Sequence, residues 1–224
     1  MMNILAIDTS TSNLSILLKT NNHLISETIE NAREENEAIL DRIDALLKNM
    51  QIQLDEIDYL ACGIGPGSFV GVRLGVSVIQ GLAFALDKPI VSFSSMQAMA
   101  ATMLNQHQLT EIQLGLDARM GDVYYGIYQR NHENIIEIIK ENAQLIDQLQ
   151  FDQTKKALSG DIFKYEVITN QINAYEIYHL ERLDLKHMLE TLEYKIQSGQ
   201  VLKTPEDLQP VYLQGTKNWK KASS

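Results

Sequence analysis

Ile4-Leu5-Ala6-Ile7-Asp8-Thr9 and Gln113-Leu114-Gly115-Leu116-Asp117-Ala118 stand 109 residues apart and share one pattern. Each is a largely apolar run that ends on an aspartate, as a buried strand does when it delivers a carboxylate to its far end. A second strand-like run follows each, over 13–19 and 122–129. Turns rich in Asn and His come next, Asn21-Asn22-His23 and Asn131-His132-Glu133-Asn134. The third runs, 24–30 and 135–141, close on Asn31-Ala32 and Asn142-Ala143. Matching order, lengths and aspartate position point to a duplicated meander, with chance recurrence of a common motif as the plainer alternative.

The remainder of the first half alternates. Residues 33–50 place Ala38, Ile39, Ile43, Leu46, Leu47 and Met50 at helical spacing with one apolar face. Residues 57–64 predict a short buried strand, 70–86 a second helix and 89–93 another strand. Ser94 or Ser95 caps a third helix reaching about Asn105. A meander followed by helix, strand, helix, strand is an α/β layered sheet with helices on its faces. Past its own meander the second half offers a strand at 156–160, a mixed stretch at 162–180 and a helix over 183–197. Pro205 and Pro210 break the tail, and the boundary between halves falls near residue 105.

Six of the twelve glycines, Gly63, Gly65, Gly67, Gly71, Gly75 and Gly81, cluster in one segment. It includes Cys62-Gly63-Ile64-Gly65-Pro66-Gly67-Ser68-Phe69-Val70-Gly71-Val72-Arg73, a strand entering a Gly-Pro-Gly turn and then a helix that Ser68 is placed to cap. Glycine permits close approach to the backbone, and a helix start favours an anion. No Gly-Lys-Ser/Thr follows, so this is not a Walker A loop, and the spacing is wrong for a dinucleotide fingerprint. The small residues serve equally well to seat the helix on a sheet or a partner helix. Arg73 in an apolar helix needs a counterpart, either an intrachain carboxylate such as Asp8 or a ligand or partner chain.

Composition narrows the function. The 224 residues are 45% hydrophobic and 21% charged, ordinary globular material. A formal net charge of −10 disfavours a lone nucleic-acid binder, which needs a positive footprint. The single cysteine, Cys62, excludes an internal disulfide framework and fits a reducing compartment. Residues 1–8 lack a basic n-region, and the apolar stretch between Arg73 and Asp87 is short for a bilayer span. The expectation is a cytoplasmic protein with no membrane contact.

Taken together, Ile4-Leu5-Ala6-Ile7-Asp8-Thr9-Ser10, Gly65-Pro66-Gly67-Ser68-Phe69-x-Gly71-Val72-Arg73 and Asp117-Ala118-Arg119-Met120-Gly121-Asp122-Val123-Tyr124 closely resemble the bacterial TsaB (YeaZ) family. Pro210-Val211-Tyr212-Leu213 is similar to its C-terminal motif. The resemblance implies a two-lobed α/β fold like actin, Hsp70 and sugar kinases, each lobe an RNase H-like meander plus helices. On that reading residues 1–105 form the partner-binding N-terminal lobe. Residues 106–224 form the C-terminal lobe with the last helix and tail. It implies a non-catalytic subunit in making threonylcarbamoyladenosine beside the tRNA anticodon. The chain would bind and activate the transferase subunit TsaD as a heterodimer, with TsaE joining as an ATPase and self-pairing as the other known state. tRNA would be reached through the complex. No cofactor would be held firmly by this chain, with ATP or ADP at an interface of the assembly. Gly65, Pro66, Gly67, Ser68, Gly71, Arg73 and Gly75 would then lie near partner or nucleotide. Asp8, Thr9 and Ser10 would form a vestigial phosphate turn, and Asp117 and Arg119 would hold the interlobe cleft. The first long helix and the glycine-rich helix would offer the apolar surface, with Met50, Ile79, Phe84 and Met96 as candidates whose plainer reading is core. Two departures stand out: Val70 where the family has threonine, and Glu35-Asn36 where many members have His-Ser.

The alternative is an independent ATP-hydrolysing, sugar-kinase-like phosphotransferase, with Asp8 and Asp117 as the two strand-end carboxylates that hold magnesium. Its adenosine loop would have to be Ser159-Gly160-Asp161. The histidines, His23, His107, His132, His179 and His187, include no pair four residues apart, so the His-x-x-x-His metal site of TsaD-like proteins has no counterpart. There is neither a Gly-x-Ser-x-Gly elbow nor a zinc motif, which leaves a peptidase without support. No residue is assigned a catalytic or metal-binding role. The basic tail with Lys217, Trp219, Lys220 and Lys221 suits either a solvated end or an RNA contact.

Overall fold

The computed structural model describes residues 2–21, 23–30 and 39–213. Two five-stranded sheets carry the chain, ordered β3-β2-β1-β4-β5 and β10-β9-β6-β7-β8. The first comprises β1 (Ile4–Asp8), β2 (Leu14–Lys19), β3 (Leu24–Ile29), β4 (Tyr59–Gly63) and β5 (Ile90–Phe93). The second comprises β6 (Glu111–Arg119), β7 (Asp122–Arg130), β8 (Ile136–Leu145), β9 (Ala157–Gly160) and β10 (Glu176–Tyr178). Counted within each half, both read third, second, first, fourth, fifth. The first three strands pair antiparallel and the last two join in parallel. The duplicated, two-lobed α/β architecture is therefore a property of the backbone ladders.

Period-two burial assigns the layers. In sheet one Leu5, Ile7, Leu14, Ile16, Leu18, Leu60 and Cys62 meet α1 (Ile39–Met50) and α2 (Phe69–Leu86). Ile4, Ala6, Leu17, Ala61, Val91 and Phe93 take the opposite face, against α3 (Ser95–Gln106). The same core receives Ile112, Leu114, Leu116 and Tyr128 from sheet two, so α3 lies between the sheets, buried from Ser95 to Leu104. The outer face of sheet two, with Val123, Tyr125 and Ile127, is covered by short turns around Ile162 and by the one-turn α4 (Glu166–Thr169).

Caps fix the helix starts as expected. Ser68 Oγ accepts from Gly71 N at 3.4 Å and Ser94 Oγ from Gln97 N at 3.1 Å. Helix α2 is 18 residues long with a mean hydropathy of 1.8, so its full length does reach what a bilayer span requires. Its inner face of Val72, Val76, Ile79 and Ala83 is nevertheless core of sheet one.

Three expectations need correction. Strand β8 runs on to Leu145, because β7 pairs it as far as Asp122↔Leu145. Asn142-Ala143 is therefore inside a strand and does not close the meander. The helix expected from residue 183 begins later: α5 is Leu189–Gln197, preceded by a 3-10 turn at Leu185–Met188. Sheet one pins residues 183–184 extended, since the hydroxyls of Ser15 and Thr28 donate to Leu183 O and Ser26 Oγ donates to Asp184. Last, the chain beyond α5 returns to the first sheet. Leu202 bridges Ile90, Gln80 donates to the carbonyls of Pro205 and Leu208, and Leu208 is fully buried beside α2. Residues 33–38 of the first helix, Glu35-Asn36, Asn31-Ala32, Asn22 and the basic tail lie outside the described residues.

Leu208→Ala should lower the unfolding free energy by about 2–4 kcal/mol, the range for an enclosed leucine that leaves a cavity. Urea unfolding should show an earlier midpoint at unchanged slope.

Candidate functional site

The turn that follows β1 is built into the protein rather than left open. Asp8 is 2% exposed. Its Oδ1 accepts from Ser10 N at 2.8 Å and Ser10 Oγ at 2.6 Å, and Oδ2 accepts from Ser95 Oγ at 2.6 Å. Ser95 Oγ in turn accepts from Gly65 N, while Ser95 N donates to Gly65 O. Ser68 N donates to Ser10 O at 2.6 Å, and Thr9 Oγ1 donates to Gly71 O at 2.7 Å. Burial pushes the Asp8 carboxyl above its usual range, against the lowering effect of the serine hydrogen bonds.

This turn explains most of the glycine cluster. A Cβ on Gly63 would sit 1.9 Å from Asp8 Oδ2, one on Gly67 2.6 Å from Ser10 O, and one on Gly75 2.5 Å from Thr9 Oγ1. The Gly65-Pro66 peptide is cis, with Gly65 at φ +94°. The glycines form a receptacle for residues 8–10. Gly81 differs: nothing lies within 4 Å of a Cβ there, and it faces outward.

The predicted site residues divide accordingly. Asp8, Thr9, Ser10, Gly71 and Gly75 are buried, which makes them support for the surface and removes them from it. Arg73 does not pair with Asp8. Its guanidinium lies 3.5 Å from the Phe69 ring centre, and Nε donates to the Tyr212 hydroxyl at 2.8 Å. Of the apolar contributors, Ile79 and Met96 are core, Met50 is half-buried and Phe84 is 78% exposed. Phe69, Val70 and Leu74 are exposed along the same helix and Leu40 on α1. Between the two helices lies a cleft of about 680 Å³ lined by Leu40, Ile43, Leu47, Ile52, Leu54 and Leu82.

Asp117 and Arg119 do not span the lobes. Asp117 Oδ1 accepts from Arg119 N, its Oδ2 accepts from Lys164 Nζ at 2.8 Å and Tyr165 OH at 3.0 Å, and its N donates to Asp161. All these partners belong to the second sheet's own connections. Burial raises the Asp117 carboxyl, but Lys164, Arg119 N and Tyr165 outweigh it and hold it below the usual carboxylate range. In Ser159-Gly160-Asp161 the glycine is packed on the neighbouring strand, where a Cβ would lie 1.8 Å from Gly115 O, and Asp161 accepts from Asp117 N. Among the described residues no three His, Cys, Asp or Glu side chains converge as metal ligands.

The seam between lobes lies elsewhere. Ser94 Oγ and Tyr128 OH each donate to Glu141 Oε2 at 2.6 Å, and Gln97 Nε2 donates to Ile136 O. Glu141 carries no signal in the sequence, and Tyr212 stands there only inside the Pro210-Val211-Tyr212-Leu213 motif, with no role attached. The four-residue spacing of Phe69 and Arg73 on a helix was a usable signal, because it places a guanidinium over a ring.

A family model described as TsaD, tRNA N6-adenosine threonylcarbamoyltransferase, matches residues 24–185. A Haemophilus influenzae protein named tRNA threonylcarbamoyladenosine biosynthesis protein TsaB is 31% identical, over 98% of this chain and 97% of that protein. This chain belongs to the TsaB family of tRNA threonylcarbamoyladenosine biosynthesis proteins. The Escherichia coli TsaB is 34% identical over 71% of this chain and 69% of its own length. The solved YeaZ structure from Pseudomonas aeruginosa superposes with a TM-score of 0.83 at 24% identity, covering 95% of this chain and all of that one, which supports the shared fold. The Gly-Pro-Gly-Ser-Phe block that carried the TsaB resemblance is the wall of the receptacle and the first turn of α2.

Gly63→Ala should cost more than about 3 kcal/mol or prevent folding, because Asp8 cannot retreat. Gly81→Ala should stabilise by up to about 1 kcal/mol through helix propensity. Chemical unfolding of both variants separates receptacle from open surface.

The Glu141 carboxyl is pushed up by burial, partly offset by Ser94 and Tyr128. A raised acid contributes its stability below the unfolded value and loses it as pH climbs through the folded one. Glu141→Gln should therefore match wild type near the bottom of the carboxylate range and exceed it increasingly toward neutrality. Thermal unfolding across pH checks this.

Proposed function

We propose that this chain is a non-catalytic subunit that binds a TsaD-like transferase through the α1–α2 face and holds it in its active form. The observation that carries the reading is the outer face of α2. Val70 is 66% exposed and Phe84 78%, with Phe69 and Leu74 between and before them and Leu40 across the cleft. A helix apolar on both faces, packed on one, calls for a partner on the other. The family model matched here is that of the transferase itself, so a paralogue carrying an equivalent helix pair suits such a face. A TsaE-like ATPase, tRNA gripped by the assembly, and ATP or ADP at an interface complete the proposed complex. Pairing of two copies of this chain through the same helices is its resting counterpart.

The phosphotransferase reading has less behind it. A magnesium-binding carboxylate needs free oxygens facing substrate. Both oxygens of Asp8 are taken by serines in a buried turn, and Asp117 is already neutralised by Lys164. The bonded carboxylates and the exposed apolar helix face thus support the scaffold reading together.

Reconstitution tests the proposal. Threonylcarbamoyl transfer to tRNA by the TsaD-like and TsaE-like subunits of the same organism should require this chain, and this chain alone should not turn over ATP. Val70→Asp with Phe84→Asp should abolish pairing and transfer while the melting temperature stays within about 3 °C, since exposed substitutions seldom disturb folding. Transfer that is indifferent to this chain, or ATP turnover by it alone that Asp8→Ala abolishes, would reverse the assignment. Gly71 is unsuitable as a probe because it is buried.

A further inference from the structure

Arg73 is the sole charged residue of α2. Its surroundings prepare it without neutralising it. The guanidinium carbon lies 3.5 Å from the Phe69 ring centre and 5.4 Å from that of Tyr212, and Nε donates to the Tyr212 hydroxyl. Its two terminal nitrogens have no acceptor among the described residues. Phe69 and Arg73 are one helical turn apart, whereas Tyr212 arrives with the returning segment. That segment is fixed by Val211 N donating to Ile64 O at 2.8 Å, by Gln80 and by buried Leu208. The Phe69 ring lies against the guanidinium and the Tyr212 hydroxyl takes its Nε edge, so the fork that matches a carboxylate is held ready, with no acceptor among the described residues.

Exposed Phe69, Val70 and Leu74 surround it. Covering such a patch removes water, and an arginine enclosed there without an anion would be a costly buried charge. Among the described residues no carboxylate pairs with it, in a chain of net charge −10. We infer that Arg73 receives an Asp or Glu carboxylate presented by the TsaD-like subunit on an otherwise apolar helix, with Phe69 and Tyr212 positioning the fork. This rests on the pairing proposed above. A nucleic-acid phosphate shares the anion chemistry, but a backbone site gathers several cations, and α2 has one among apolar neighbours.

Calorimetric titration of the full chain with the TsaD-like subunit of its organism tests this. Arg73→Gln should weaken binding by about thirtyfold or more, as loss of one member of an enclosed charge pair does. Arg73→Lys, a charge without the fork, should remain weaker than wild type by about fivefold. Tyr212→Phe, which keeps the ring and removes the tether, should show a smaller loss. Raising salt should weaken wild type more than Arg73→Gln. Arg73 is exposed, so thermal unfolding of the variants should match wild type. Arg73→Gln binding within twofold of wild type would overturn the inference and leave the pairing standing. Failure of the wild-type chain to bind the subunit would overturn the pairing and the inference with it. Unchanged subunit affinity with tRNA binding lost would assign Arg73 to phosphate and overturn the carboxylate.

Discussion

The hydrogen bond between Asp8 and Ser95 joins the end of the first strand to the start of the helix between the two sheets. Everything near it is arranged to keep it dry and complete. Gly63 has no side chain because Asp8 Oδ2 occupies that volume, and Gly65 is clasped by both polar groups of Ser95. The adjacent Ser94 makes the corresponding bond to Glu141 from the second sheet. Two neighbouring serines at one helix start therefore each hold a carboxyl, the buried Asp8 from one half and the half-buried Glu141 from the other. The positive end of α3 favours both, and burial opposes both strongly enough to set the direction of their titration.

The duplicated architecture was legible in sequence because local signals and ladder order agree. Apolar runs and turns recur in the same order, Ser68 caps as read, and of the two serines offered for α3 it is Ser94 that caps. The glycine cluster was legible as exceptional but not as a receptacle, since the turn it encloses is more than fifty residues away in the chain. Asp117 was misplaced for a related reason. Its partners Asp161, Lys164 and Tyr165 come from a stretch without periodicity, where no spacing announces a contact. Tyr212 reaches Arg73 across 139 residues, a contact that only the folded return of the chain creates.

Helix α2 has two apolar faces with different obligations. The inner one completes sheet one through Val72, Val76, Ile79 and Ala83, and the outer one leaves Val70 and Phe84 in water. Filling of the β1 turn by the chain's own serines and an apolar exterior on α2 are consistent parts of one arrangement. A rigid, self-filled interior presents a fixed helix surface, which lowers the ordering cost of association.

The returning segment also bears on synthesis. The core beneath α2 is sealed by Leu208, and β5 is bridged by Leu202, so the first lobe lacks its lid until the strands of the second sheet have all been made. A nascent chain that has emitted only the first sheet carries an unsealed apolar groove along α2. The two halves, alike in strand order, are thus unequal in time: the sheet made first is closed only after the second has been made.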